Sequence, residues 1–304
     1  SESNNLAIKG IAQASRSTGR HMISTVLEHA SVGGTLTALQ QQGWEVDLLD
    51  IQRDGTIDLE QLGDLLRKDT ILVSVCAVDS ELGTVQPIRQ ITEILKDFPN
   101  CRLHVDATQA IGKTELVMDG VDTMSIAPHK FYGLNGSGLL LKKSSVIIEP
   151  QIHGGSSTTL YRSGTPALAL AVSIEKALQL TLTQQEERIR CVRQLNEYLK
   201  TALLHYPSVR INSPEGAVPH ILNLSVQGLK GTVFQRVLSE RGVCVSVKSA
   251  CSAEGTPSKA VFAVSGDRKN ALSSWRVSLS HLTTREELDE FLQVFDQCYK
   301  ELGP

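Results

Sequence analysis

The segment Thr-Ile-Leu-Val-Ser-Val-Cys-Ala-Val at 70–78 constrains the fold of this chain more than any other part of it. It is nearly all apolar, which is typical of a strand that is buried on both faces. Such strands occur where helices cover both sides of a mostly parallel sheet. The sequence therefore predicts an α/β domain built around this segment.

Helical and strand patterns alternate along the first half of the chain. We predict strands at 21–24, 45–49 and 138–142, and two more that lead towards Asp106 and Lys130. Helical periodicity between the strands predicts helices at 5–15, 34–42 and 88–95. Alternation of this kind favours a mostly parallel sheet with helices on both faces.

The pattern changes near residue 166. Segment 167–204 is helix-rich, and strands with alternating apolar and polar residues follow at 243–248 and 275–280. This alternation indicates one buried and one polar face, as in an antiparallel sheet. The run Thr284-Arg-Glu-Glu287 is a capping box that predicts the start of the last helix. We therefore predict a large domain at 1–182 and a smaller α+β domain at 183–304.

The composition of the chain argues against several classes of function. The chain has 304 residues, a net charge of −3 and a hydrophobic fraction of 41%, which is ordinary for a protein with a packed core. The basic residues form no long run, which argues against nucleic acid or an anionic membrane surface as a partner. No apolar stretch of the sequence is long enough to cross a bilayer, and the first residues do not resemble a signal peptide.

The six cysteines are scattered along the chain without a CxxC pair. They therefore form neither a metal signature nor a disulfide pattern, and we expect a reducing, cytoplasmic location. Five of them are expected to be core thiols. Only Cys251 lies among small residues in a loop-like segment, where its thiol could act as a nucleophile.

Asp106 and Lys130 together indicate a particular chemistry. Asp106 ends a short apolar strand, and Lys130 follows the apolar stretch 123–127 and His129. Alone, the lysine is most simply a solvated surface charge and the aspartate a structural residue. As a pair they suit pyridoxal phosphate (PLP), because the lysine amine forms the Schiff base and the carboxylate keeps the pyridine nitrogen protonated.

The segments His-Val-Asp-Ala-Thr-Gln-Ala at 104–110 and His-Lys-Phe-Tyr-Gly at 129–133 resemble the cysteine desulfurases of the NifS/IscS type. These belong to the class V branch of the fold-type I PLP enzymes. Further segments that resemble motifs of this family lie at 2–10, 28–29, 162–165, 249–258 and 274–279. The resemblance implies an α/β fold: a large, mostly parallel sheet domain between helices, and a smaller α+β C-terminal domain.

The resemblance also implies roles for the residues around the cofactor ring. Lys130 would carry the cofactor and act as the base at the substrate Cα, and Asp106 would face the pyridine nitrogen. His29 would stack on the ring and assist proton transfer. Gln109 would donate a hydrogen bond to the phenolic oxygen of the ring.

Phosphate and substrate would be bound by a second group of residues. By resemblance, the phosphate contacts would come from His129, from Ser1 at the start of the first helix, and from Thr165 of a second subunit. That last contact implies a homodimer. Arg276 would hold the substrate carboxylate, for which a planar guanidinium is suited, and Ser80 would face cofactor and substrate.

Several positions depart from the family's pattern. Asp79-Ser80 stands where the family has two asparagines, and Ala127 where it has a phosphate-binding serine. Leu134-Asn135 replaces Pro-Lys, and segment 156–161 lacks the usual glycine, glutamine and glutamate. The loop from 251 to 257 is one residue short, and the chain begins inside the phosphate loop, so we expect a fragment or a shortened relative. These losses predict weaker cofactor binding rather than a different fold.

The function predicted from these observations is that of a PLP-dependent cysteine desulfurase. It would convert L-cysteine to L-alanine and leave a persulfide on Cys251 for a sulfur-acceptor protein, in iron–sulfur cluster assembly or another pathway. One alternative is another reaction on the same scaffold: a selenocysteine or cysteine lyase, or an aminotransferase. A second alternative is a truncated, non-catalytic paralogue that acts as a binding partner.

Overall fold

The structure, a computed structural model, describes residues 1–155, 159–247 and 255–303. It divides the chain into two compact units. The first unit comprises 1–50, 57–78 and 86–183, and the second comprises 51–56, 79–85 and the described residues from 184 onward. The boundary predicted at 182–183 treats each domain as one continuous stretch of chain. Segments 51–56 and 79–85 lie before that boundary but belong to the second unit.

A six-stranded sheet forms the centre of the first unit. Its strands are β1 (His21–Thr25), β2 (Glu45–Leu49), β3 (Thr70–Cys76), β4 (Arg102–Asp106), β5 (Thr123–Ile126) and β6 (Leu139–Lys142). They lie in the order β2-β1-β3-β4-β5-β6, and all neighbours are parallel except β5 and β6. Every residue of β3 is buried, which confirms the two-sided burial predicted from its apolar sequence.

The helices of the first unit are α1 (Glu2–Ala14), α2 (Ala30–Gln40), α3 (Leu59–Leu65), α4 (Ile88–Leu95) and α5 (Leu168–Thr183). Helix α1 buries Ile8 and Ile11 against a cluster that includes Met22 and Leu72. This packing holds α1 against the sheet, because buried apolar side chains contribute about 1.5–3 kcal/mol each. Among the described residues, no helix combines the length and the apolar character that a membrane span requires.

The second unit has a three-stranded antiparallel sheet in the order β7-β8-β9. Its strands are β7 (Val209–Ile211), β8 (Ile221–Val226) and β9 (Ser274–Ser278), and its helices are α6 (Gln185–Leu203), α7 (Gly231–Ser239), α8 (Lys259–Ser265), α9 (Arg268–Ser273) and α10 (Arg285–Leu302). Trp275 stacks on Phe234 with ring centroids 5.5 Å apart in the aromatic core. The capping box of Thr284 and Glu287 at the start of α10 is confirmed.

Two expectations for the second half are wrong. The described residues 243–247 form no strand, and Ser246 makes only an isolated bridge with Arg276. Cys244, which lies in this segment, is exposed and not a core thiol. Cys76, Cys101 and Cys298 are buried as expected, whereas Cys191 is partly exposed.

Candidate active site

The carboxyl ends of the parallel strands define one edge of the sheet in the first unit. Cys76 at the end of β3 is the register partner of Asp106 at the end of β4, and Asp106 is the partner of Ser125 on β5. Because parallel strands end at the same edge, the residues that follow them meet there. This edge therefore brings together the chain segments that carry Asp106 and Lys130.

Asp106 is buried and held by two donors. Its Oδ2 accepts a hydrogen bond from Nδ2 of Asn4 at 2.8 Å, and its Oδ1 accepts one from the backbone N–H of Thr108 at 3.0 Å. A carboxylate has about four acceptor positions. The two donors fix the orientation of the group and leave acceptor capacity for a protonated ring nitrogen.

A tight turn follows β5 and presents His129 and Lys130, whose side chains are both exposed. The backbone N–H groups of Lys130 and Gly133 donate to Ala127 and Pro128 at 3.1 and 2.9 Å. A Cβ on Gly133 would lie 2.8 Å from the Cβ of Pro128, so the close approach requires glycine. Partial desolvation of the ring, with smaller contributions from the charges of Lys130 and the N-terminus, lowers the pKa of His129.

Tyr132, in the same turn, has φ +72°, a left-handed conformation that is unusual outside glycine. Such conformations cost about 1–3 kcal/mol and are concentrated at functional sites. The turn that carries Lys130 therefore has the strained geometry often found where a catalytic group is positioned.

Glu28 and His29 lie between β1 and α2. His29 is the N-cap of α2, and its Nδ1 accepts a hydrogen bond from the backbone N–H of Ser31 at 3.1 Å. Oε1 of Glu28 accepts from Thr25 Oγ1 and from the N–H of Cys76, whereas its Oε2 is buried with no hydrogen-bond partner among the described residues. Burial raises the pKa of Glu28 to about 8, and the nearby charge of Asp106 adds to the rise.

Apart from Ser80, the other residues predicted for the cofactor are also in the first unit. Ser1 is the N-cap residue of α1 and makes no side-chain cap hydrogen bond. Gln109 Oε1 accepts a hydrogen bond from Lys113 Nζ at 2.5 Å. Thr165 is exposed, and Arg162 pairs with Glu2 at 2.9 Å. No described group of histidine, cysteine and carboxylate side chains has the arrangement of a metal site.

The residues predicted for the substrate lie in the second unit. Nη1 of Arg276, on β9, donates to the backbone carbonyl of Ser80 at 2.6 Å, and its Nε donates to Ser278 Oγ at 3.0 Å. Burial lowers the pKa of Arg276, whereas the charges of Glu81 and Asp79 raise it. The structure thus brings Ser80 and Arg276 together.

Asp79, one of the departures from the family's pattern, is buried at 1% exposure. Its Oδ2 accepts from the backbone N–H groups of Leu82 and Glu81. Burial raises its pKa to about 7; the charge of Glu81 raises it further, while the backbone hydrogen bonds and the charge of Arg276 lower it. Cys251, the predicted nucleophile, lies outside the described residues.

Sequence reasoning missed Asn4, His104 and Glu28 as parts of the site. Each lies inside a segment that was singled out as a motif, but no role was assigned to it. Asn4 is a polar residue on a helix whose neighbours Leu6, Ala7 and Ile8 are buried. A polar side chain on the buried face of a helix is a signal for a specific partner, because its burial without one is costly.

Comparison with known proteins shows the family to which this chain is similar. The family model described as "Aminotransferase class-V" matches residues 1–291. A "NifS/IcsS protein homolog" of Lactobacillus delbrueckii subsp. bulgaricus is 38% identical over 98% of this chain and 79% of its own length. A "Cysteine desulfurase IscS" of Dictyoglomus turgidum is 34% identical over 99% of this chain and 77% of its own length.

Solved structures show the same similarity. A chain described as "NIFS-LIKE PROTEIN" superposes with a TM-score of 0.92 at 31% identity, over 99% of this chain and 80% of that one. Another, described as "SspA in complex with cysteine", superposes with a TM-score of 0.79 at 30% identity, over 93% of this chain and 80% of that one. The fold predicted from the sequence is therefore confirmed.

Proposed function

Because the chain belongs to the class-V aminotransferase family, we propose that it is a PLP-dependent cysteine desulfurase, which removes sulfur from L-cysteine and forms L-alanine. One observation carries the proposal: the buried, oriented carboxylate of Asp106 ends β4, and the turn with the exposed Lys130 follows the adjacent parallel strand β5. Relatives that match nearly the whole chain are named cysteine desulfurases, which supports the same activity here.

The residues at the sheet edge fit this cofactor. Pyridoxal phosphate, when bound, supplies an electron-withdrawing ring that stabilises negative charge at the Cα of an amino acid. Asp106 retains acceptor capacity for the ring nitrogen, and the side chain of Lys130 is accessible for attachment. The N-terminus of α1 and the exposed His129 suit an anionic phosphate. Ala127 offers no hydroxyl at the position where a serine would add a contact.

Three residues of this chain would handle the substrate. Arg276 would bind the carboxylate of L-cysteine through its planar guanidinium, with Ser80 beside it. The amine of Lys130 would take the proton from Cα and return one as alanine forms. A lysine suits this role because a positioned amine can act as a general base once it is deprotonated.

Cys251 would accept the sulfur. Its thiolate would attack the sulfur of the substrate, forming an S–S bond as the Cβ–S bond breaks. The electron pair of the broken bond would remain with the carbon, which takes up a proton and leaves as L-alanine. The persulfide on Cys251 would then pass its outer sulfur to an acceptor protein.

A homodimer is part of the proposal. Thr165 and Arg162 are exposed in the single chain, where a second copy could approach them. Exposed apolar side chains lie nearby in sequence, with Leu160, Leu168 and Val172 exposed at 78%, 74% and 55%. Large exposed apolar side chains that cluster commonly mark an interface.

The test is incubation of the purified protein with PLP and L-cysteine, followed by amino-acid analysis and peptide mass spectrometry. We expect L-alanine and one additional sulfur on the Cys251 peptide. Cys251→Ser should lower alanine formation by about 10²-fold or more, because a serine hydroxyl cannot form the S–S bond. Cys244→Ser is the matched control, since Cys244 is an exposed thiol, and it should change nothing.

Other results of these experiments would favour one of the alternative functions or contradict the assignment of Lys130. Alanine formation that is unchanged in Cys251→Ser would favour a lyase or an aminotransferase. Borohydride reduction that traps PLP on a lysine other than Lys130 would contradict the assignment of that residue. Retention of PLP without any reaction with L-cysteine would favour a non-catalytic paralogue.

A further inference from the structure

Asn4 stands at the centre of a buried hydrogen-bond network in the first unit. Its side chain is 3% exposed, and all three of its hydrogen-bonding groups are used. The Nδ2 group donates to Asp106 Oδ2 at 2.8 Å and to Ser31 Oγ at 2.9 Å, while Oδ1 lies 3.0 Å from Nε2 of His104. A carboxamide has two N–H donors and one oxygen, so each group has its partner.

The carboxylate of Asp106 determines which way the amide of Asn4 points. A carboxylate only accepts hydrogen bonds, so the NH₂ group of Asn4 must face it and the amide oxygen must face His104. Nε2 of His104 then carries the ring proton, and its Nδ1 accepts from Thr123 Oγ1 at 2.9 Å. Burial lowers the pKa of His104 to about 4 despite the nearby charge of Asp106, so the ring is neutral at neutral pH.

The second N–H of Asn4 reaches His29 through Ser31. Ser31 Oγ accepts from Asn4, so its own hydroxyl hydrogen is available to Nδ1 of His29, which lies 2.8 Å away. The backbone N–H of Ser31 donates to the same nitrogen at 3.1 Å. With Nδ1 accepting, the proton of a neutral His29 ring lies on Nε2.

We propose that Asn4 is a positioning residue whose carboxamide couples the carboxylate of Asp106 to the imidazole of His29 through Ser31. One side chain then orients both the group that faces the pyridine nitrogen and the ring expected to stack on the cofactor. The coupling is a property of the chain itself, whereas its effect on the cofactor rests on the proposed function.

Nitrogen-15 NMR of the histidine rings tests the coupling without any cofactor. We expect His29 and His104 of the unmodified protein to be Nε2–H tautomers. Asn4→Leu keeps the side-chain volume but removes the three hydrogen bonds, including the one that orients the hydroxyl of Ser31. Because the backbone N–H of Ser31 still donates to Nδ1 of His29, the Nε2–H tautomer should persist, and the Nδ1 resonance should shift as the bond from Ser31 Oγ weakens. The matched control is Asn5→Leu, because Asn5 lies on the same helix and, among the described residues, its side chain donates to the carbonyl of Ser1.

A second measurement follows the pyridine nitrogen of bound, nitrogen-15-labelled PLP. Asn4→Leu should shift its resonance towards the unprotonated form and raise the PLP dissociation constant about 10-fold or more, as loss of a hydrogen bond to a charged group predicts. Ser31→Ala should shift the Nδ1 resonance of His29, because the hydroxyl donor is lost, and leave the pyridine resonance in place, because the bond from Asn4 to Asp106 remains.

The outcomes separate this inference from the proposed function. An Nδ1 resonance of His29 that is unchanged in a folded Asn4→Leu protein overturns the coupling. If Asn4→Leu does not fold, Ser31→Ala decides, since an unchanged Nδ1 resonance of His29 there has the same meaning. Failure of the protein to bind PLP, with the tautomers as expected, overturns the proposed function and leaves the coupling intact.

Discussion

Each unit contains a buried carboxyl group whose pKa is raised by burial, and the two differ in their neighbours. In the first unit, Glu28 lies near a second acid, Asp106, and its pKa rises from 4.5 to about 8. In the second unit, Asp79 accepts two backbone N–H donors and lies near both an acid, Glu81, and a cation, Arg276, and its pKa rises from 3.8 to about 7.

The difference shows how surroundings assign roles to chemically similar groups. With its pKa raised to about 8, Glu28 is mostly protonated at neutral pH, so it adds little negative charge beside Asp106. Asp79 changes its charge near neutral pH next to a cation proposed to bind substrate. Asp79 therefore changes its charge in a lower pH range than Glu28 does, and beside a cation instead of a second acid alone.

Of the substitutions that test this comparison, Glu28→Gln should have the largest effect, which is a change in the pH dependence of the free energy of unfolding. The folded Glu28 keeps its proton while the unfolded one ionises, so stability falls as pH rises from about 4.5 to about 8, by at most about 1.4 kcal/mol per pH unit. Glutamine keeps the oxygen that accepts from Thr25 and Cys76 but cannot ionise. The variant should lose this slope and be the more stable protein at pH 9.

Urea unfolding at pH 6, 7.5 and 9 measures the effect of Glu28→Gln, with the exposed Glu60→Gln as control. An equal pH slope in Glu28→Gln and the unmodified protein would mean that Glu28 is not a neutral buried acid. The contrast between the two units would then disappear.

Arg276→Lys tests the cation that distinguishes the second unit. Lysine keeps the charge but loses the planar donor pair, so we expect KM for L-cysteine to rise about 10- to 100-fold with a smaller change in kcat. Steady-state kinetics with the exposed Arg236→Lys as control measure this split. A fall in kcat at constant KM would place Arg276 in the chemical step instead of in carboxylate binding.

Asp79→Asn should have the smallest effect, a change in pH dependence. Ionised Asp79 offsets the charge of Arg276, so affinity for the carboxylate of L-alanine should weaken about 3- to 10-fold as pH rises through about 7. The asparagine variant should bind equally well from pH 6 to pH 8.5, and Asp54→Asn, in an exposed turn of the same unit, should keep the slope. Calorimetric titration that finds the slope unaltered in Asp79→Asn would assign it to another group.

The fold was largely predictable because its signals are local. The apolar run of β3 predicts a strand covered on both sides, and the capping box of Thr284 predicts the start of α10. The short helices α3, α8 and α9 were missed because six or seven residues carry little periodicity. Their N-caps Asp58, Ser258 and Asp267 were the available signal.

The site was predictable only in part. Asp106 and Lys130 follow adjacent strands, so sequence spacing places them at one edge. The partners of Asn4 are distant in sequence, and the neutral state of Glu28 depends on burial that no local pattern reveals. Residues 243–247 alternate between apolar and polar side chains as a strand does. Their backbone pairs with another strand only through the isolated bridge of Ser246, and Cys244 is exposed.

The hydrogen bonds of Asn4 also bear on how the protein is made. Two of them, to Asp106 and His104, join positions 102 and 100 residues apart along the chain. Closing so long a loop costs entropy before any contact is gained, so such contacts form late. At synthesis rates of about 5–20 residues per second, α1 is synthesised roughly 5–20 s before Asp106 is made. The proposed cofactor would therefore bind late in biogenesis, after both Asp106 and Lys130 have been made.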